Sequence, residues 1–317
     1  MKHLLLISLI WAGSVLSSTA QLRPVGEPVL LFDDITLSLQ NPIPSPDSRT
    51  IALTGSNFTG IWLMDANGDN LRQITDENHI GFGFKWSADA STIVARSTQH
   101  ENQRRSYAIK AFDLISNESS YLTEYQAHMP TVPFIEAGQQ NVYVATSEAV
   151  QSISFQLSRA LPGETNLRPT AHANGNKLFL STPTSRAMSE FMPFGSDVQY
   201  LNASASPDGS KIAFEVYGGN LHILDIESGS LTDMGRGYKP TWSPDSQYIS
   251  FTRNTDDGYV FTSGEIVAAS ADGLDSVVLY SSSDTIPGNP YWDFNQNRIY
   301  FDYIDSGSIL YIDVATE

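Results

Sequence analysis

A Ser-Pro-Asp turn followed by an alternating apolar strand returns along nearly the whole chain, and this repetition limits the fold more than any other feature. Its fullest form is KPTWSPDSQYISF, residues 239–251. Pro240-Thr241-Trp242 is a short apolar run, Ser243-Pro244-Asp245-Ser246 a tight turn, and Ile249-Ser250-Phe251 an alternating strand. Proline presets φ at the turn and aspartate bonds back to a nearby amide, so each residue has a conformational task and needs no reaction chemistry to explain it. The unit reads as strand, turn, strand.

Seven copies of this unit follow one another from residue 41. They turn at Asp47, Asp89, Gly138, Asn174, Asp208, Asp245 and Asn295, with spacings of 42, 49, 36, 34, 37 and 50 residues. Each turn leads into an apolar strand, such as Ile51-Ala52-Leu53, Ile93-Val94-Ala95 or Ile212-Ala213-Phe214. The better copies add two more strands joined by Gly or Asn turns, as in Ile61 to Asp65, Asn67-Gly68, then Leu71 to Thr75. A strand repeat of this length predicts an all-β propeller of seven four-stranded blades, or six if the weak third and fourth copies merge. Residues 131–203 are the least regular part, and residues 157–166 and 182–189 read as long loops or short helical turns.

The last copy supplies only three strands before Glu317, whereas Val29-Leu30-Leu31-Phe32 precedes the first copy at the distance a fourth strand occupies elsewhere. The N-terminal strand is therefore expected to complete the last blade and close the ring, leaving only short, protected edges.

Residues 1–20 read as a secretory signal peptide: Lys2 and His3, the apolar run from Leu4 to Ala12, and the small-residue site Ser18-Thr19-Ala20. The expected mature chain, residues 21–317, is one propeller domain, periplasmic or secreted. With no cysteine, neither a lipoprotein anchor nor a disulfide is expected. No later apolar run approaches the roughly 18 residues of a membrane helix, so no membrane insertion is expected. The chain carries 35 acidic and 18 basic side chains, a net charge of −17, or −18 once Lys2 is removed with the leader. So acidic a protein is a poor partner for nucleic acid.

The Trp-Ser-Pro-Asp and Ser-Pro-Asp-Gly turns, the Ile-x-Phe strands and the Leu-Thr strand ends resemble the propeller repeats of TolB and its relatives, over residues 41–317. Similar blades occur in prolyl-oligopeptidase-like peptidases and in oligogalacturonate lyases. TolB carries an α/β domain ahead of its propeller, for which residues 21–40 are too short. The resemblance implies a propeller acting as a protein- or ligand-binding scaffold without catalysis; the alternative it implies is a metal-assisted polysaccharide lyase.

The sequence lacks the Gly-x-Ser-x-Gly elbow of an α/β hydrolase, His-Glu-x-x-His, phosphate loops and dinucleotide fingerprints. His222, within a strand, and His172, beside a turn, read as structural. His79 and His128 fall at related places in consecutive copies, accompanied by Glu77 and Glu124, but a metal needs about three converging ligands, so neither metal nor cofactor is assigned. Asp65-Ala66-Asn67-Gly68-Asp69 reads as a hairpin rather than a calcium loop, because Gly68 is placed for a turn and no downstream bidentate Glu follows. Asp33-Asp34 and Asp256-Asp257 read as solvated loop.

Chain direction places the binding surface. In an antiparallel four-stranded meander, the first and third connections share one end, the turn face, while the second connection and the inter-blade links share the other, the link face. The link face collects the longer segments, residues 76–83, 99–105, 124–130, 233–239 and 281–289. It thus gathers His79, Arg104, Arg105, His128, Arg236 and Tyr238 as candidate binding residues for a protein, a peptide or an anionic saccharide.

Overall fold

The structure, a computed structural model, describes residues 22–101, 104–127, 133–135, 141–145, 150–155, 167–184 and 188–316. Residues 1–21, His128 and residues 157–166 lie outside them. Among the described residues the chain is all β apart from one short helical turn, Ser56–Phe58, and no helix is long and apolar enough to cross a membrane.

Seven antiparallel sheets follow in chain order. Blade 1 comprises Gln40–Pro44, Thr50–Thr54, Ile61–Asp65 and Arg72–Thr75; blade 2 comprises Lys85–Trp86, Thr92–Glu101, Arg104–Asp113 and Glu118–Tyr121. Blade 5 runs from Tyr200–Ala205 to Leu231–Asp233, blade 6 from Tyr238–Trp242 to Ser276–Ser282, and both have four strands. The third and fourth copies do not merge. Residues 134–154 and 170–191 form separate sheets, each of three strands among the described residues.

Blade 7 closes the ring in the expected way. Leu22–Phe32 pairs antiparallel with Ile309–Thr316, from Leu22 opposite Thr316 to Phe32 opposite Ile309, and becomes the outermost strand of that sheet. The strand is longer than the four residues read as apolar, and it bulges between Val25 and Val29, where Gly26 takes φ +76°. Gly68 fits the same closure: its backbone passes so near this strand that a Cβ would lie 2.8 Å from Leu31 O.

The turns form through a repeated set of hydrogen bonds. In blades 1, 2, 5 and 6 the turn serine, buried in each case, donates from Oγ to the Asp two residues on, at 2.5–2.6 Å. The same Oγ accepts the backbone N–H five residues on, at 2.9–3.1 Å. The motif's polar groups are thus spent on its own backbone, as buried groups must be. The fourth turn position has positive φ throughout, at Ser48, Ala90, Gly209 and Ser246.

Blade 4 departs from the alignment. Gly175 O accepts from Tyr200 N at 2.8 Å, at the start of blade 5, whereas Gly209 in the blade 5 turn lies against Pro169. Asn174-Gly175 therefore sits on the link face and is not the counterpart of the Ser-Pro-Asp turns. Asn-Gly supplies a two-residue hairpin at any connection, so turn chemistry alone does not say which connection it is.

The core lies between neighbouring blades. Ile249, Phe251 and Trp242 of blade 6 pack with Ala213, Leu221 and Ile223 of blade 5, and Trp292, Ile299 and Phe301 of blade 7 pack with Ile266 and Ala268 of blade 6. Polar joints repeat the pattern. Trp86 Nε1 donates to Ile43 O at 3.1 Å and Trp242 Nε1 to Ser204 O at 2.9 Å, each reaching the preceding blade.

Candidate functional site

Two hairpins on the link face are longer than the others among the described residues. Blade 2 pairs Thr92–Glu101 with Arg104–Asp113 over ten positions, and blade 6 pairs Tyr248–Asp256 with Phe261–Ser270 over nine. Among the described residues the other second and third strands run three to eight residues. Residues 99–101, 104 and 105, expected in a loop, therefore belong to paired strands; alternation of Ser, Thr, Gln and Arg gave no apolar period by which to see them.

The blade 2 hairpin carries most of the expected site. Arg104 and Arg105 are exposed at its end, opposite Glu101 and His100 respectively. Arg105 Nε donates to His100 Nε2 at 3.1 Å, and the His100 ring stands 6.4 Å from that of His79, which occupies a turn at φ +61°. The structure thus brings His79, Arg104 and Arg105 together and adds His100, which sequence reasoning left unassigned. Below them the Arg96 guanidinium lies 4.8 Å from the Tyr107 ring and 5.5 Å from the half-exposed Phe82 ring. Arg236 and Tyr238 share the face but form a second group, on the link from blade 5 into blade 6; Tyr238 begins the inner strand opposite Thr252.

Glu77 does not attend His79. It accepts from Lys110 Nζ at 2.5 Å and from Ser97 Oγ at 2.8 Å. Burial raises its pKa, but the bonds from Lys110 and Ser97 outweigh burial and hold it below the usual range. It is an ion-paired joint between blades 1 and 2. Among the described residues no three His, Asp or Glu side chains converge as metal ligands. The lyase alternative expects such a cluster.

The end of the blade 6 hairpin is apolar, a feature that the Asp256-Asp257 pair masks in the sequence. Those carboxylates accept the N–H groups of Gly258, Tyr259 and Val260, fixing the turn. They leave Tyr259 96% exposed, with Val260 and Phe261 beside it at 62% and 47%.

At the link-face end of the inner strands lies a polar clasp. The inner strands of blades 1, 5, 6 and 7 each bulge, with Asn41, Asn202, Lys239 and Asn289 at positive φ. Glu215 accepts Asn202 Nδ2 at 2.7 Å and Lys239 N at 2.6 Å; Asp302 accepts Asn289 Nδ2 and Asn41 N, both at 2.6 Å. Lys239 Nζ donates to Asn289 Oδ1, joining the two carboxylates into one network across four blades. Burial pushes Asp302 up to about 6, against the opposing effect of these donors.

No protein-family profile matches the sequence, and no curated protein sequence matches it. Solved structures do. A chain of the mitotic checkpoint complex aligns over 98% of this chain and 100% of its own, at 12% identity and a TM-score of 0.60. The Cps50 (Swd1) β-propeller domain of Myceliophteria thermophila aligns over 91% of this chain and 100% of its own, at 9% identity and a TM-score of 0.57. This chain shares the β-propeller fold. TolB from Acinetobacter baumannii also aligns, at 14% identity and a TM-score of 0.45, over 87% of this chain; the propeller spans 64% of the TolB chain's length. At such identities the likeness is one of fold, and function rests on the site itself.

Proposed function

We propose that the protein is an exported, non-catalytic propeller that binds a partner protein with the two long hairpins of its link face. The observation that carries this reading is the pair of hairpin ends, which flank blades 7 and 1. One presents Arg104, Arg105 and two histidines from a protein of net charge −17. The other presents Tyr259, Val260 and Phe261 to solvent on a turn fixed by hydrogen bonds. Exposed aromatic and Arg side chains on pre-ordered elements are the residue types that dominate protein interfaces. The complementary partner has acidic groups facing blade 2 and an apolar pocket facing blade 6.

The test is affinity capture from periplasmic and secreted fractions by the mature chain, by an R104E/R105E variant and by Y259A, with folding followed by circular dichroism. A defined partner should be recovered by the parent protein and lost, at least tenfold, with either variant. Recovery unchanged by both, or abolished only by changes on the turn face, would remove this reading. Export is tested separately: the N-terminus of the fractionated protein should begin at Gln21, following the Ser-Thr-Ala site.

A further inference from the structure

A cavity lies at the turn-face end of the ring, on the opposite side from the hairpins, and a ligand held there is independent of the partner reading. It measures about 480 Å³, and all seven blades contribute to its wall. That is within the range of small-molecule sites, roughly 300–1,000 Å³. The wall is strongly aromatic, with Trp86, Trp242, Tyr291 and Phe294 facing inward, and it contains two cations, Lys85 and Arg168.

The two cations differ in how they are satisfied. Arg168 lies over the Phe294 ring at 5.2 Å and donates to Phe294 O, with Asp293 near enough to act on it electrostatically. The Lys85 ammonium forms no hydrogen bond or ion pair among the described residues. Its stem is surrounded by the inner strands while solvent still reaches it through the cavity. Burial lowers its pKa and no counter-charge restores it. Its positive charge helps, after burial, to hold the neighbouring His172 neutral, at about 4.

The acids in the wall are already engaged. Asp47 accepts Ser45 Oγ and Arg49 N, and Asp89 accepts Ser87 Oγ and both donors of Ser91. The Lys85 ammonium is exposed within the cavity and open to an anion entering it, and the apolar aromatic wall strengthens the attraction between the two charges. A second negative charge on the ligand would meet Asp47 and Asp89, which favours a singly charged head. We propose that this cavity binds a small organic carboxylate with a flat apolar body, its head on Lys85 and Arg168 and its body among Trp86, Trp242 and Phe294.

Isothermal titration calorimetry of the mature chain with 2-naphthoate and its neutral counterpart 2-naphthamide tests this. Naphthoate should bind at least tenfold more tightly than the amide, and Lys85→Met should abolish the difference. Naphthoate affinity should also fall as pH rises, at a pH below that at which a free lysine loses its proton. Lys85 is the group whose proton is lost there: Tyr291 is held protonated to about 12 by burial, and His172 stays neutral. Equal affinities, no binding at millimolar ligand, or a preference retained in Lys85→Met would overturn the proposal. Should that variant fail to fold, the parent protein decides alone, since equal affinity for naphthoate and naphthamide overturns the proposal.

Discussion

Ala90 occupies the turn position that Gly209 fills in blade 5, at φ +57° without a side-chain bond to compensate. A left-handed backbone costs an alanine about 1–2 kcal/mol that glycine does not incur, partly offset by glycine's greater freedom when unfolded. Ala90→Gly should therefore raise stability by about 0.5–1 kcal/mol in chemical denaturation. Ser246 would not respond alike, because its Oγ accepts Asp208 N at 3.1 Å and joins two blades. Single residues also set the pH dependence. His172 is buried against Phe134, rings stacked at 4.7 Å, and burial then Lys85 lower its pKa from 6.5 to about 4. Its folded pKa is depressed, so its contribution is present above pH 6.5 and is lost as pH falls through about 4, roughly 3 kcal/mol in all. Asp302 has the opposite sign: raised to about 6, it favours the folded state below its unfolded pKa and loses that contribution as pH rises through about 6. The two effects oppose each other between pH 4 and 6.5. Unfolding of His172→Phe across that window should separate them, the variant gaining about 3 kcal/mol on the parent as pH falls from 7 to 4; parallel curves would show that His172 does not titrate as described.

Among the strands, the second of each blade was legible because it is apolar on both faces. Phe214 and Phe251 sit at matching positions, 0% and 2% exposed, as the alternation around the turn requires. Phe251 packs with Leu221 of the preceding blade, and Gly237 is held so close that a Cβ there would lie 2.6 Å from the ring. Phe251→Ala should cost about 3–5 kcal/mol, read as a shift in denaturant midpoint. A loss under about 1 kcal/mol would mean the ring is not packed as described. The outer strands were harder to see. Glu118–Tyr121 is exposed throughout and Leu231–Asp233 has three residues, so neither bears an apolar period. The two long hairpins were missed for the same reason: past the sheet's apolar segment their strands are polar, held by pairing rather than burial.

For the molecule as a whole, stability depends on a ring closed by one noncovalent strand. Leu22–Phe32 covers the edge of Ile309–Thr316 and buries Leu22 against the Trp292 core. Deleting residues 21–32 should lower the melting temperature by at least about 5 °C and increase aggregation, because the blade 7 edge is then open to pairing. A melting temperature unchanged in the deletion would mean that closure lies elsewhere.

The repeat, the seven blades and the closing strand are all legible in the order of residues, because turn chemistry and the short apolar strands after each turn are local and recur in register. The same order placed His79, Arg104 and Arg105 on one face, since chain direction follows from counting strands. The direction of the Asn174 hairpin needed the folded ring, because Asn-Gly turns are alike at every connection. Folding alone brought Lys85 and Arg168, 83 residues apart, into one aromatic cavity. It alone joined Asp302, Asn289, Lys239 and Glu215 in one clasp, since the bonds cross between strands and neighbouring blades, and the bond from Asn41 N to Asp302 needs the closed ring.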